Sequence, residues 1–276
     1  MWRGRSRVRD YATTGLSAGE AEVLARFREA FAGRALEIGC GGGRVTGHMA
    51  ALSADVRAVD IAPEMLEYAR PRYPSVEFSV ADLRDLSVFD DADADVVALW
   101  ANIIDILGPQ ERAVALGELS RMLRPGGLLV LDTHNLAHAP QRRRPTDVPM
   151  DSPRQFVRSA AGMPVKLYNH RRLARHEQTG DGWAILNDEA HRFMALHYYV
   201  DRGEQERQLR DAGLELVAII DVSGTALGPG DRAPRSPHEA AASGRSCSLS
   251  KCSYGCSSHS RRTRDITEAW KPSMKR

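Results

Sequence analysis

The stretch Ala35-Leu36-Glu37-Ile38-Gly39-Cys40-Gly41-Gly42-Gly43-Arg44-Val45 joins an apolar strand to a glycine-rich turn that opens a helix. Glycines so closely spaced leave backbone N–H groups and a helix N-terminus open to a ligand, because no Cβ intervenes. A cofactor site at this turn is the expectation. A dinucleotide fingerprint G-x-G-x-x-G needs a third glycine where the helix packs on the strand. Counted from Gly39, that position is Arg44. The pattern is instead Glu37-x-Gly39-x-Gly41-x-Gly43, with an acid ahead of the first glycine. A carboxylate there repels a pyrophosphate and suits a ligand carrying an ammonium group and a sulfonium.

The next hundred residues read as further layers of the same sheet. Val56 to Asp60, Val76 to Val80, Asp95 to Trp100 and Leu128 to Asp132 are apolar strand-like runs, and Leu214 to Asp221 is a sixth. Asp60 ends the second strand a little over twenty residues past the loop, where a carboxylate can accept both hydroxyls of a ribose. Between the strands lie helical patterns. Ser17 to Phe31 starts with Ser17 as N-cap and Glu20 as its capping-box partner. Val45 to Leu52 follows the loop, and Pro63 fits the first turn of the next helix. Pro109 to Leu123 is amphipathic, with Val114, Leu116, Leu119 and Met122 or Leu123 expected inward. Asp201 to Ala212 is closed by Gly213. This alternation predicts an α/β fold: a doubly wound, mostly parallel Rossmann-like sheet with helices on both faces. Ligands of such sheets lie outside the carboxyl ends of the strands, where Glu37, Asp60, Asp82, Trp100 and His134 all fall.

Three acids at successive strand ends, Glu37, Asp60 and Asp82, follow the order of the sheet, and Leu123-Arg124-Pro125-Gly126-Gly127 precedes the fifth strand. In these motifs the sequence resembles the class I S-adenosylmethionine (SAM)-dependent methyltransferases, over roughly residues 11–237. The resemblance implies SAM as cofactor. It implies that Glu37, Gly39, Cys40 and Gly41 cradle the methionine half, and that Tyr11 folds over the bound molecule. Asp60 would hold the ribose hydroxyls, Ile61 and Met65 would also contact the cofactor, Asp82 would accept from the adenine amine, and the Leu83 N–H would meet the ring. Trp100 would lie under the methyl group, as core or as shelf. His134, with Asn135 beside it, and Asn102 are the candidates for orienting or deprotonating an acceptor.

Composition narrows the partners. The 276 residues are 42% hydrophobic with a formal net charge of +2, which gives no strong field for nucleic acid or membrane, and the arginines at 142–144 and 171–172 read as solvated loop charges. No apolar run approaches the ~20 residues of a transmembrane helix. The basic start Met1 to Arg7 has no apolar segment behind it, so a cytoplasmic protein is expected. An Asn/Asp-Pro-Pro-Tyr/Phe motif and a Pro-Cys nucleophile are both missing after the fourth strand, and no acidic trio for a metal follows the fifth. A small-molecule acceptor remains, with no nucleic acid, membrane or metal and with the oligomeric state open. Two rivals stand beside this reading: a SAM-binding but catalytically degraded homologue, and a nicotinamide-dependent oxidoreductase.

Five segments are expected: an N-terminal helix and lid (1–33), the SAM-binding core (34–134), an inserted substrate cap (135–200), the last core helix and strand (201–237), and a disordered or aberrant tail (238–276). In the cap, Pro164 to His176, Trp183 to Asn187 and Arg192 to Val200 are candidate strands. The family resembled places a last strand antiparallel between the fifth and sixth, yet after about His238 the chain is Ser-, Arg- and Cys-rich without apolar periodicity. Three readings of that tail stay open: disorder, a frame-shifted C-terminus, and zinc on Cys247, Cys252, Cys256 and His259, whose spacing lacks a CxxC pair.

Overall fold

The structure, a computed structural model, describes residues 12–137, 162–188, 193–228 and, as backbone, 251–258. The chain enters through helices α1 (Ala18–Arg26) and α2 (Arg28–Phe31), then β1 (Arg34–Ile38), α3 (Thr46–Ala50), β2 (Asp55–Asp60), α4 (Pro63–Ala69), β3 (Glu77–Val80) and β4 (Ala94–Leu99). A 3-10 turn (Ile103–Ile106), α5 (Pro109–Met122) and the long strand β5 (Leu123–Asn135) follow. After these come α6 (Met163–Leu173), β6 (Gln178–Gly180), β7 (Trp183–Leu186), β8 (His197–Val200), α7 (Arg202–Asp211), β9 (Leu214–Asp221), β10 (Ala226–Leu227) and β11 (Lys251–Ser258). Ser17 caps α1, and Glu20 returns the hydrogen bond to the Ser17 N–H at 2.7 Å, as the capping-box pattern predicts.

The main sheet runs β10-β9-β11-β5-β4-β1-β2-β3. Strands β3, β2, β1, β4 and β5 are parallel, whereas β11 is antiparallel to both β5 and β9. Strands buried on both faces must be apolar throughout, which is why Val96-Val97-Ala98-Leu99 reads as one run. One apolar layer packs α5 and α7 residues such as Leu116, Leu119 and Leu209 against the sheet. The other packs Val23, Leu24, Phe31, Met49 and Leu66 from α1 to α4 against the opposite face.

Three expectations need correction. Val114 is exposed, because the inward stripe of α5 is Arg112, Ala115, Leu116, Leu119 and Met122, and residue 114 lies on the far side of that helix. Pro164 to His176 is mostly helix: Pro164 sits in the first turn of α6, where its missing N–H is harmless, and the apparent alternation has no sheet partner. The tail contains an ordered strand. Residues Lys251 to Ser258 fill the slot between β5 and β9, pairing Tyr254 with Leu131 on one side and Ile219 on the other. A strand hydrogen-bonded on both sides is held by its backbone, so weak apolar periodicity did not announce it. Cys247 and His259 of the zinc reading lie outside the described residues.

The insertion builds a small antiparallel meander, β6-β7-β8, that joins the main sheet through β8. Strand β5 outruns β4, whose pairing ends at Leu131, and β8 takes over alongside His134 and Asn135. The cap is thus an extension of the sheet directly beyond its carboxyl edge. No described helix is long and apolar enough to cross a membrane.

Tyr254→Pro removes one N–H from a strand paired on both sides and leaves a carbonyl of a neighbouring strand without its donor. At ~1–3 kcal/mol for such an orphan, thermal melts should show a clear loss of stability, whereas proline at an exposed position such as Glu64 of α4, in its first turn, should leave the melting temperature nearly unchanged.

Candidate active site

The loop after β1 is built from left-handed backbone: Gly39, Gly41 and Gly43 have φ of 71°, 55° and 86°. A Cβ at Gly39 would overlap Ile103 Cδ1, and one at Gly43 would meet the Tyr73 ring at 2.5 Å. At Gly41 a Cβ would meet nothing within 4 Å, so there the turn faces open space. The loop is pinned to the tip of β2 by Gly39 N–H and Cys40 N–H to the Val59 carbonyl, at 2.7 and 2.9 Å. Asp60 completes the pin, its two oxygens accepting from Gly41 N–H and Ala62 N–H, both at 2.8 Å. Burial pushes the Asp60 carboxyl upward, against those two N–H groups.

Glu37 is buried at the end of β1 and accepts from the Thr46 hydroxyl. Burial drives its carboxyl from 4.5 up to about 8 despite that bond and the charge of Arg44 nearby. Burial of this kind favours the protonated acid, and a cation set against it would favour the carboxylate. Arg44 is already committed: it meets both oxygens of Glu20 at 2.7 and 2.5 Å, clasping α1 to the glycine loop. Cys40 is a free, buried thiol whose acidity burial suppresses.

Farther along the edge, Ile61 is 63% exposed just past β2, an apolar shelf beside the buried Met65. Asp82 turns both oxygens to Arg84, at 2.9 and 2.6 Å, and this arginine holds its carboxyl below the usual range. Leu83 packs against the core. Beyond β4, Ala101 and Asn102 are two consecutive non-glycine residues with φ near 59° and 58°. Trp100 Nε1 and both amide atoms of Asn102 are buried with no hydrogen-bond partner among the described residues. Strained backbone and orphaned buried polar groups concentrate at functional sites. Tyr11 lies outside the described residues.

His134 stands where β5 emerges, and its Nδ1 lies 2.7 Å from Asp105 Oδ2. Asp105 is fully buried, and the bonds from His134 and the charge of Arg112 overcome burial to hold its carboxyl below the ordinary value. It also accepts from His134 N–H at 2.6 Å, Thr133 Oγ1 at 2.7 Å and Arg112 Nη1 at 2.7 Å. With Nδ1 engaged, His134 presents Nε2 as its remaining nitrogen. Asn135, by contrast, closes a local turn by accepting from Ala137 N–H at 2.9 Å.

The same carboxyl edge of the sheet carries Glu37, Gly39, Gly41, Asp60 and Ile61 and, past β4 and β5, Trp100, Asn102 and His134. Sequence reading missed Thr46, the Glu20–Arg44 clasp, Asp105 and Arg112. Arg112 left a legible trace, because a charged residue inside the apolar stripe of α5 demands a buried partner. Two open surface grooves, one of about 460 Å³ along β9 and one of about 590 Å³ beside Arg84 and Glu118, contain none of Glu37, Asp60 or His134.

In the ligand-free protein a carboxyl held up in the fold makes its stabilising contribution at low pH, and this contribution is lost as pH rises from about 4.5 to about 8. At roughly 1.4 kcal/mol per pKa unit, the change amounts to a few kcal/mol. Glu37→Gln cannot ionise, so its melting temperature should fall less between pH 5 and pH 8 than that of the parent.

Comparison with known proteins finds relatives over the part of the chain that carries the glycine loop. Residues 35–127 match the family profile described as a methyltransferase domain. A ubiquinone biosynthesis O-methyltransferase of Xanthomonas oryzae pv. oryzae is 33% identical over 106 residues, which is 37% of this chain and 43% of that protein. A trans-aconitate 2-methyltransferase of Azoarcus sp. is 32% identical over 166 residues, 59% of this chain and 64% of that protein. The chain thus spans less than two thirds of either relative. Among solved structures, a SAM-dependent methyltransferase from Clostridium acetobutylicum superposes with a TM-score of 0.55 at 12% identity, covering 91% of this chain and 95% of the other. The 1,6-didemethyltoxoflavin-N1-methyltransferase of Burkholderia thailandensis does so with a TM-score of 0.54 at 16% identity, covering 91% and 82%. Residues 35–127 are therefore similar to a methyltransferase domain, in a sheet whose order and acid-flanked glycine loop suit that likeness.

Proposed function

We propose that this protein transfers the methyl group of SAM to a hydroxyl of a small-molecule acceptor. The observation that carries the reading is the pairing, on one sheet edge, of a buried acid receptive to an ammonium group with a histidine oriented by a buried carboxylate. When bound, SAM supplies an electrophilic methyl on a sulfonium. Glu37 would pair with its ammonium, the free lone pairs of Asp60 would take the ribose hydroxyls, and Ile61 would lie against the adenine. The residues present fit that ligand, including its positive charge, better than a pyrophosphate.

Methyl transfer is an in-line displacement in which alignment and a dry pocket do most of the work. A base is needed only where the nucleophile carries a proton, and a buried Asp–His pair is an arrangement for removing one. His134 Nε2 would take the hydroxyl proton as the acceptor oxygen gains the methyl group, with the C–S electron pair left on sulfur, and would then pass that proton to solvent. Asn102, with its unpartnered amide, would orient the acceptor. The Xanthomonas relative is named for O-methylation, in keeping with this assignment. Asp82 is assigned to the adenine amine, which requires Arg84 to yield one of its two contacts.

Asp60→Ala should abolish SAM and S-adenosylhomocysteine binding in calorimetry; unchanged affinity sinks the cofactor site as drawn. His134→Gln should bind SAM as the parent does. With radiolabelled SAM and a panel of phenols and alcohols, it should lose on the order of 10²–10⁴-fold in turnover, the usual contribution of a positioned base. Equal turnover would remove His134 from the chemistry.

A further inference from the structure

The cap contributes a cluster of its own beside the base. Asp188 Oδ2 lies 2.9 Å from His197 Nδ1 and accepts from the Tyr199 hydroxyl at 2.5 Å, all three side chains being buried. The rings of His197 and Tyr199 lie with centroids 5.3 and 5.0 Å from that of His134. Residues 197 and 199 share one face of β8, and Tyr198 points to the other, as alternation along a strand requires. On that other face the Tyr198 ring receives the Arg112 guanidinium at 4.7 Å, and Arg112 grips Asp105. Trp183 stacks on Tyr198 at 5.4 Å. Three consecutive residues of β8 therefore hold both ends of the Asp105–His134 pair: two against the imidazole and one over the arginine that neutralises the carboxylate.

We propose that Asp188, His197 and Tyr199 are positioning residues for His134, so that the cap sets the aim of the base as well as covering the acceptor. The inference rests on the assignment of His134 as that base. The β8 register, with Tyr199 beside His134 and Val200 beside Asn135, carries the cap strand's order directly into the backbone from which the imidazole projects. Asp188 is the common tether. Without its charge, His197 and Tyr199 lose a shared acceptor, and the wall they make against His134 is free to rotate. Among the described residues, His134 is faced by Asp105 on the 3-10 turn, with Arg112 of α5 behind it, and by His197 and Tyr199, with Asp188 behind them.

The test is nitrogen NMR of the full chain carrying ¹⁵N-histidine, with and without saturating S-adenosylhomocysteine, His134 being assigned by loss of its signals in His134→Gln. The parent should show His134 as a single tautomer with the proton on Nδ1. Asp188→Asn and Tyr199→Phe should shift the His134 ring signals toward an average of two tautomers, while S-adenosylhomocysteine affinity stays that of the parent. His134 signals identical to the parent's in a folded variant overturn the proposal. If Asp188→Asn does not fold, Tyr199→Phe, which removes one hydroxyl, decides alone. A parent protein that fails to bind S-adenosylhomocysteine refutes the cofactor reading, and the tautomer of His134 is still read in the ligand-free sample.

Discussion

Asp105 is a carboxylate with no access to water, and such a charge is tolerable only where every lone pair is claimed. Here Arg112, Thr133 and the backbone N–H and Nδ1 of His134 claim it. Arg112 is itself sealed in the interior, so its remaining N–H groups go to Gln205 at 2.7 Å and Gln208 at 2.9 Å on α7, and its face to Tyr198 of the cap. One ion pair thereby fastens together α5, the 3-10 turn, β5, α7 and β8. Losing either partner would strand a buried charge, a defect typically worth ~3–5 kcal/mol. The geometry of the proposed base and the attachment of the β6-β7-β8 insertion therefore depend on the same bond.

The rest of the site follows from where a parallel sheet ends. Inside the sheet the backbone groups satisfy one another, and past its carboxyl edge they must find other partners. The glycine loop meets this with left-handed turns held on Val59 and Asp60, and the exit of β4 meets it with two strained residues, Ala101 and Asn102. Ala101 N–H is caught by Asp132 at 3.0 Å, whereas the Asn102 amide has no partner among the described residues. Strain and unsatisfied polarity concentrate at the place where the acceptor is proposed to bind.

What the sequence revealed and what it hid divide along sequence separation. Periodicity and turn chemistry are local, so the strands from Arg34 to Asp132, the Ser17 cap and the proline starts at Pro63 and Pro109 were legible. The acids at strand ends were legible because the fold repeats its spacing. The partners of Arg112 were not: Gln205 and Gln208 lie 93 and 96 residues away, and no local pattern encodes such a meeting. Arg44 looked like a failed third glycine, although it is the clasp that seats Glu20. In the cap, Pro164 fitted a loop or strand edge as well as a helix start, and only the three-dimensional context of α6 separates them. Asp82 was readable as an acid at a strand end, but its commitment to Arg84 was not.

The placement of β11 has a consequence for how this chain acquires its shape. The centre of the sheet is not assembled in order of synthesis, since β5 and β9 are bridged by residues 251–258, more than a hundred positions after β5 ends. Until that segment leaves the ribosome, β5 and β9 each present an unpaired flank, a ready template for a foreign strand. Such a long-range closure is slow by its topology. The nascent protein would thus spend its most aggregation-prone interval with the loop of Gly39 to Gly43 and the edge around Glu37 and Asp60 already formed. An early-binding ligand at that edge could steady the half-built sheet while the last strand arrives.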